Sequence, residues 1–280
     1  MSYSFTIDCL PESTPRQTFA QAGFADVECR ESDAMDANWQ EGLYHFYRPD
    51  HSCRVIEVST SEDTFNVRLM AFSSADDYRL GLNLVEAVSS QSQCVVHSED
   101  GEDLELEEFR QKHGEQWIEH MVRSPLGMLN GILRQGGTMT INGVRRPYVV
   151  GVDTLKELQQ QADPDQFSAR FYESLRQLQW LNTSSGFEAS VMKLTLKDSD
   201  VTRLISSIGA PGLRYFISKV DYVAAHHNKD LLFIPWDMLS DALGDRFHRL
   251  HEELISIDPI EEDEWPASIE QIQKYAQPLS

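Results

Sequence analysis

The sequence predicts an α+β protein, a mixed and mainly antiparallel sheet or sheets with packed helices, in two sub-domains. Three observations lead there. The first hundred residues hold several short segments in which apolar and polar side chains alternate, the signature of half-buried strands. Other segments carry apolar residues at helical spacing behind recognisable caps. The two kinds of segment do not follow a strict strand–helix–strand order, so a doubly wound parallel sheet is not expected.

The elements follow in order. Ser4 to Cys9 alternates and opens a sheet. A short helix over Pro15–Ala22 ends at Gly23, and Val27–Arg30 is a short strand. Leu43–Arg48, Arg54–Ser59 and Thr64–Phe72 read as three strands, the last two joined by a polar hairpin link at Thr60–Asp63. Ser73 or Ser74 caps a helix with Asp76 and Asp77 in its first turn, where carboxylates oppose the helix dipole. Tyr78, Leu82 and Val85 give that helix an apolar face.

Cys94–His97 is a further short strand. Residues 110–134 are mostly helical, interrupted at Ser124-Pro125 and ended by Gly136-Gly137. Asn142-Gly143 predicts a hairpin between Thr138–Ile141 and Val144–Val150.

Beyond residue 151 the pattern turns helix-rich. Asp163-Pro164 is a cap followed by a first-turn proline, and Phe167, Phe171 and Leu178 line the helix it opens. Phe187–Leu196 reads as one strand. Ser199 caps a helix whose Val201, Leu204, Ile205 and Ile208 fall on one face. Tyr215–Ala225 and Leu231–Ile234 read as strands joined through His226-His227-Asn228-Lys229. Two short helices follow, and Pro266 opens a terminal helix carrying Ile269 and Ile272. The division drawn is residues 1–150, strand-rich, and 151–280, helix-rich, with one continuous body as the alternative.

Charge is the unusual bulk property. Asp and Glu total 45 against 24 Lys and Arg, a formal net charge of −21 over 280 residues. The first 150 residues carry 24 acids and 12 bases, the remainder 21 and 12, so the acidity is not held in a tail. Such a field repels nucleic acid and anionic membranes and draws in basic partners. Solubility alone is the competing explanation. No apolar run reaches membrane-spanning length and the first residues do not resemble an export signal, so the expected location is cytoplasmic. Cys9, Cys29, Cys53 and Cys94 form no C-x-x-C pair and are read as free thiols in a reducing compartment.

The usual phosphate-loop, dinucleotide, zinc-protease and nucleophile-elbow motifs are absent. His248, His251 and Glu252, placed on a predicted helix, are the sharpest candidate for an enzyme or metal site. No further ligand is fixed by spacing, so no metal and no cofactor is assigned. Arg134, Arg145 and Arg146 form a small basic group, for which internal ion pairs are the expected use.

Two acidic clusters stand out. Glu99, Asp100, Glu102, Asp103, Glu105, Glu107 and Glu108 put seven acids in ten residues, without calcium-loop spacing. Glu261, Glu262, Asp263 and Glu264 precede Trp265, a residue type that anchors interfaces. Both clusters are either solvated helix starts or docking patches for a basic partner. Trp265 is either an anchor or a lock on the terminal helix.

Tyr44-His45-Phe46-Tyr47, Ser52-Cys53-Arg54-Val55-Ile56-Glu57-Val58, Phe65-Asn66-Val67-Arg68-Leu69, Ser73-Ser74-Ala75-Asp76-Asp77-Tyr78 and Asn142-Gly143-Val144-Arg145-Arg146-Pro147 together resemble segments of uncharacterised bacterial cytoplasmic proteins of similar size. The resemblance covers the first 150 residues and implies a bacterial protein; some acidic proteins of this look are immunity proteins. It carries over no site residue. The function expected is an acidic protein-binding module, an immunity protein neutralising a basic toxin, with no direct nucleic-acid or membrane binding. The alternatives are an enzyme at His248, His251 and Glu252, and a nucleic-acid mimic.

Overall fold

The computed structural model describes residues 2–31, 33–160, 166–196, 200–209, 211–227 and 230–279. The caps expected at Asp163-Pro164 and Ser199, and the Asn228-Lys229 link, lie outside the described residues. The chain is α+β and divides into two compact units: Met1–Tyr148 with Leu155–Trp180, and Val149–Thr154 with Leu181–Ser280.

The first unit is built on a seven-stranded sheet. Its elements are β1 (Ser2–Ile7), α1 (Pro15–Gln21), β2 (Glu28–Cys29), β3 (Gly42–Tyr47), β4 (Ile56–Ser61), β5 (Thr64–Met70), α2 (Ala75–Ser92), β6 (Val96–Ser98) and β7 (Asp103–Leu104). The sheet order is β2-β3-β4-β5-β1-β6-β7, antiparallel throughout. The alternation read from sequence is what places Phe65, Val67 and Leu69 on one buried face of β5, beside Ile56 and Val58 of β4 and Phe5 and Ile7 of β1.

Helix α2 covers that face. Its start is fixed by a reciprocal capping box: the Ser74 hydroxyl accepts from the Asp77 N–H, and the Asp77 carboxylate accepts from the Ser74 N–H. Tyr78, Leu82, Val85 and Val88 point into the core. Gly81 lets the helix lie close to β5, since a Cβ there would stand 2.2 Å from Leu69 Cδ2.

The chain continues through α3 (Leu106–Lys112), α4 (Glu115–Arg123), α5 (Leu129–Gln135), β8 (Thr138–Asn142), β9 (Pro147–Gly151), α6 (Val152–Gln160) and α7 (Phe167–Gln179), of which residues Val149–Thr154 count with the second unit and the rest with the first. The break expected at Ser124-Pro125 is a 3₁₀ turn over Ser124–Met128. β8 and β9 form a two-stranded ribbon, but its turn is the longer Gly143–Arg146 segment, closed by the Gly143 N–H on the Arg146 carbonyl at 3.2 Å. Trp180 closes the unit, its Nε1 donating to the Ser52 carbonyl at 2.9 Å.

The second unit contains β10 (Phe187–Glu188), β11 (Met192–Thr195), β12 (Thr202–Ile208), β13 (Tyr215–Ser218), β14 (Tyr222–His227), β15 (Asp230–Pro235), α8 (Leu239–Leu243), β16 (Phe247–His251), β17 (Leu254–Ile257) and α9 (Trp265–Gln273). It has two four-stranded sheets, β10-β13-β17-β16 and β11-β12-β14-β15. Both are antiparallel except for the β10–β13 and β12–β14 pairs. Ile208, Ile217, Val223, Ile234, Ile255 and Ile257 form the core, which α9 caps with Ile269 and Ile272.

This unit corrects several expectations. The segment around Leu204, Ile205 and Ile208 is strand β12, not a helix. Ile205, Ser206 and Ile208 are all buried, so both faces are covered and no alternation is visible; its apolar spacing fits either period. Likewise Phe247–His251 is a strand paired with β17, with a register shift between Arg249 and His251. The single strand read over Phe187–Leu196 is two, β10 and β11, in different sheets, and Tyr215–Ala225 is split into β13 and β14.

Candidate functional site

The Glu99–Glu108 cluster lies in the first unit, on the turn between β6 and β7 and the start of α3. Most of its carboxylates are engaged locally. Glu99 Oε2 accepts the Ser4 N–H at 2.8 Å, and the Tyr3 hydroxyl donates to Asp100 Oδ2 at 2.6 Å. Lys112 Nζ lies 2.9 Å from Glu102 Oε1, and His97 Nδ1 lies 2.7 Å from Asp103 Oδ1. Glu105 and Glu108 form the capping box of α3, and Glu107 faces Arg110 at 3.6 Å. Burial, then the Asp100 hydrogen bond, pushes the Tyr3 phenol up to about 12. The Asp103 hydrogen bond raises His97. These contacts hold the turn between β6 and β7 and cap the start of α3.

The Glu261–Glu264 cluster belongs to the second unit and differs. All four side chains are exposed, on the turn that leads into α9. Glu264 is tied down: its carboxylate accepts the Glu261 N–H at 3.3 Å and pairs with Arg246 at 2.9 Å. Glu262 and Asp263 make no ion pair with another described residue. Asp263 and Glu264 border a cleft of about 480 Å³ between α8 and α9, floored by Ala242, Leu243 and Ile260. Trp265 is half-buried against the core of this unit, the position of a lock on α9.

His248, His251 and Glu252 are not brought together as a helix would have done. His248 Nε2 lies 2.7 Å from Asp258 Oδ2. His251 Nδ1 accepts the Glu253 N–H at 3.1 Å, and burial brings its pKa down to about 4. Glu252 is buried, and its Oε2 accepts the Thr154 N–H at 3.1 Å and the Thr154 hydroxyl at 3.0 Å. Each is committed to a structural partner. Among the described residues no group of three His, Cys, Asp or Glu is placed to hold a metal.

The basic group is also structural. The Arg145 guanidinium lies 4.4 Å from the Trp180 ring centroid, the N–H groups of Arg145 and Arg146 both donate to the buried Gln179 Oε1, and Arg134 Nε reaches the Asn130 carbonyl. His45 bridges Glu31 at 3.0 Å and Glu57 at 3.9 Å. Sequence reading missed the exposed apolar edge strand β11, where Met192 and Leu194 are 51% and 43% exposed. The apolar residues Val191, Met192 and Leu194 read as part of one strand over Phe187–Leu196, which does not distinguish an exposed edge from a covered one.

These features define an α+β protein with an apolar-floored cleft in its second unit, bordered by Asp263 and by the paired Glu264 and Arg246. The chain belongs to the family described as a domain of unknown function, DUF4299, which matches residues 3–184. That match spans the first unit and stops short of the α8–α9 cleft. No curated protein and no solved structure matches the chain. No helix among the described residues is long and apolar enough to cross a membrane.

Proposed function

We propose that this chain is an acidic protein-binding module that holds a basic protein partner, in the manner of an immunity protein that neutralises a toxin in the producing cell. One observation carries the reading. Glu262 and Asp263 stand exposed without an ion pair to another described residue, and Asp263 borders the cleft with an apolar floor. Unpaired carboxylates at a rim speed encounter with a basic surface, while an apolar floor supplies the area that holds it. The net charge of −21 extends the same attraction over the whole surface.

The test is affinity capture from the native cell, with the wild-type chain and a Glu261→Gln, Glu262→Gln, Asp263→Asn variant as parallel baits. A basic protein retained by the wild type and depleted on the variant is the expected result. Equal recovery on both baits, or recovery of an acidic protein only, overturns the assignment of this face.

A further inference from the structure

Cys9 and Cys94 are far apart in the chain and side by side in the fold. β1 and β6 are antiparallel, with Phe5 opposite Ser98, Thr6 opposite His97 and Ile7 opposite Val96. Continued by two residues, that register puts Cys9 opposite Cys94. The Glu99 N–H donates to the Ser4 carbonyl at 3.0 Å while the Ser4 N–H goes to the Glu99 carboxylate, so Ser4 and Glu99 stand at a hydrogen-bonding position of the ladder with one of its two backbone bonds made. Alternation then makes Cys9 and Cys94 a non-hydrogen-bonded pair, the kind whose side chains approach most closely.

One contact shows that the chains still run together there: Cys94 Sγ lies 4.0 Å from the carbonyl oxygen of Asp8, the residue before Cys9. Opposed residues of this kind have Cα atoms about 4.5 Å apart, within the roughly 4.4–6.8 Å that a disulfide spans.

The other two cysteines contrast with this pair. Cys53 is 1% exposed with its thiol directed at the Tyr172 carbonyl, and Cys29 is buried and donates to Glu31 Oε2 at 3.1 Å. Cys9 and Cys94 are each partly exposed, and all four thiols are free.

We propose that Cys9 and Cys94 form a reversible thiol–disulfide site, closed by low-molecular-weight disulfides, which fastens the end of β1 to the start of β6. One thiolate attacks the small disulfide, forming a mixed disulfide and expelling a small thiolate. The neighbouring sulfur, once deprotonated, attacks the mixed disulfide at the protein sulfur, forms the Cys9–Cys94 bond and expels the second small thiolate. Two S–H bonds are lost and one S–S bond forms. The two electrons and two protons end on two small thiols. Burial, then the neighbouring Cys94 and Asp8, pushes the Cys9 thiol up to about 11, so closure runs faster at alkaline than at neutral pH.

The experiment treats the reduced full-length chain with oxidised glutathione, quenches with acid, alkylates the remaining thiols and maps an unreduced digest. One linked peptide joining Cys9 to Cys94, removed by dithiothreitol, is expected. A Cys29→Ser, Cys53→Ser variant should link to the same extent. Cys9→Ser and Cys94→Ser should each lose the link entirely and accumulate a stable glutathione adduct on the remaining partner. The wild-type digest decides the matter whether or not a variant folds. Four unmodified thiols, separate adducts on Cys9 and Cys94 without closure, or a link through Cys29 or Cys53 would each overturn the proposal.

Discussion

The carboxylate of Asp77 accepts both the backbone N–H and the hydroxyl of Ser74, each at 2.9 Å, through a single oxygen. The same Oδ2 accepts the Cys53 and Arg54 N–H groups at 3.2 Å. One buried oxygen thus joins the start of α2 to the chain entering β4. The other, Oδ1, is buried and finds no hydrogen-bond partner among the described residues. Burial outweighs these bonds and pushes the Asp77 pKa up to about 6.

Asp77 sets a pH dependence of stability. Its folded pKa lies above the ordinary carboxylate value of 3.8, so the native state holds the proton more tightly. Its contribution is full below about pH 4 and is lost as pH rises through about 6, by roughly 2–3 kcal/mol. Asp77→Asn should remove that loss, which urea titrations across this window will read. Asp77→Ala should destabilise by about 3–5 kcal/mol at any pH, because it strands several buried donors. An Asn variant with the wild-type pH slope would show that Asp77 is not the titrating group.

His251 acts with the opposite sign. Burial depresses its pKa from 6.5 to about 4, so the unfolded chain takes up the proton first. Its contribution is present above the unfolded value and is lost as pH falls through that window. His251→Gln should flatten the acid limb of the melting temperature against pH. In Asp77→Asn, where the opposing slope is gone, the wild-type His251 limb should steepen.

Gly151 and Glu252 should be energetically coupled. A Cβ on Gly151 would lie 2.2 Å from Glu252 Cδ, and Thr154 holds that carboxylate in place. Gly151→Ala should cost about 2–4 kcal/mol through overpacking, and Glu252→Ala about 2–4 kcal/mol through two stranded Thr154 donors. The double variant should lose less than the sum, by about 1 kcal/mol or more in a double-mutant cycle. Strict additivity in denaturant titrations would refute the contact.

The Glu261–Glu264 turn should govern encounter rather than retention. With the captured partner on a biosensor surface, association should slow as salt rises, because the Debye length falls from about 10 Å at 0.1 M to about 3 Å at 1 M. The Glu261→Gln, Glu262→Gln, Asp263→Asn variant should slow association further and leave dissociation and unfolding nearly unchanged. Glu264 is spared because it is paired with Arg246. Trp265→Ala should destabilise the second unit, since the ring packs on its core. Association rates that ignore both salt and charge removal would reduce the acidity to a solubility device.

Much of the first unit was legible in the sequence because local signals agreed with the final packing. Phe65, Val67 and Leu69 alternate on a sheet with one covered face, and Ser74 with Asp77 announces the start of α2. The acid excess was equally plain. What the sequence could not separate was helix from strand where short apolar spacing suits both, as around Leu204, Ile205 and Ile208. There the partners decide: β14 pairs with β12, and β17 with the β16 that precedes it in the chain, and backbone hydrogen bonds to a neighbouring strand outweigh local apolar spacing. Tertiary structure alone also chose which carboxylates are occupied, since Glu99, Asp100, Glu102 and Asp103 find partners of a kind that Glu262 and Asp263 do not find among the described residues. It alone set Cys9 beside Cys94, because register between strands is a non-local property that residue spacing does not encode.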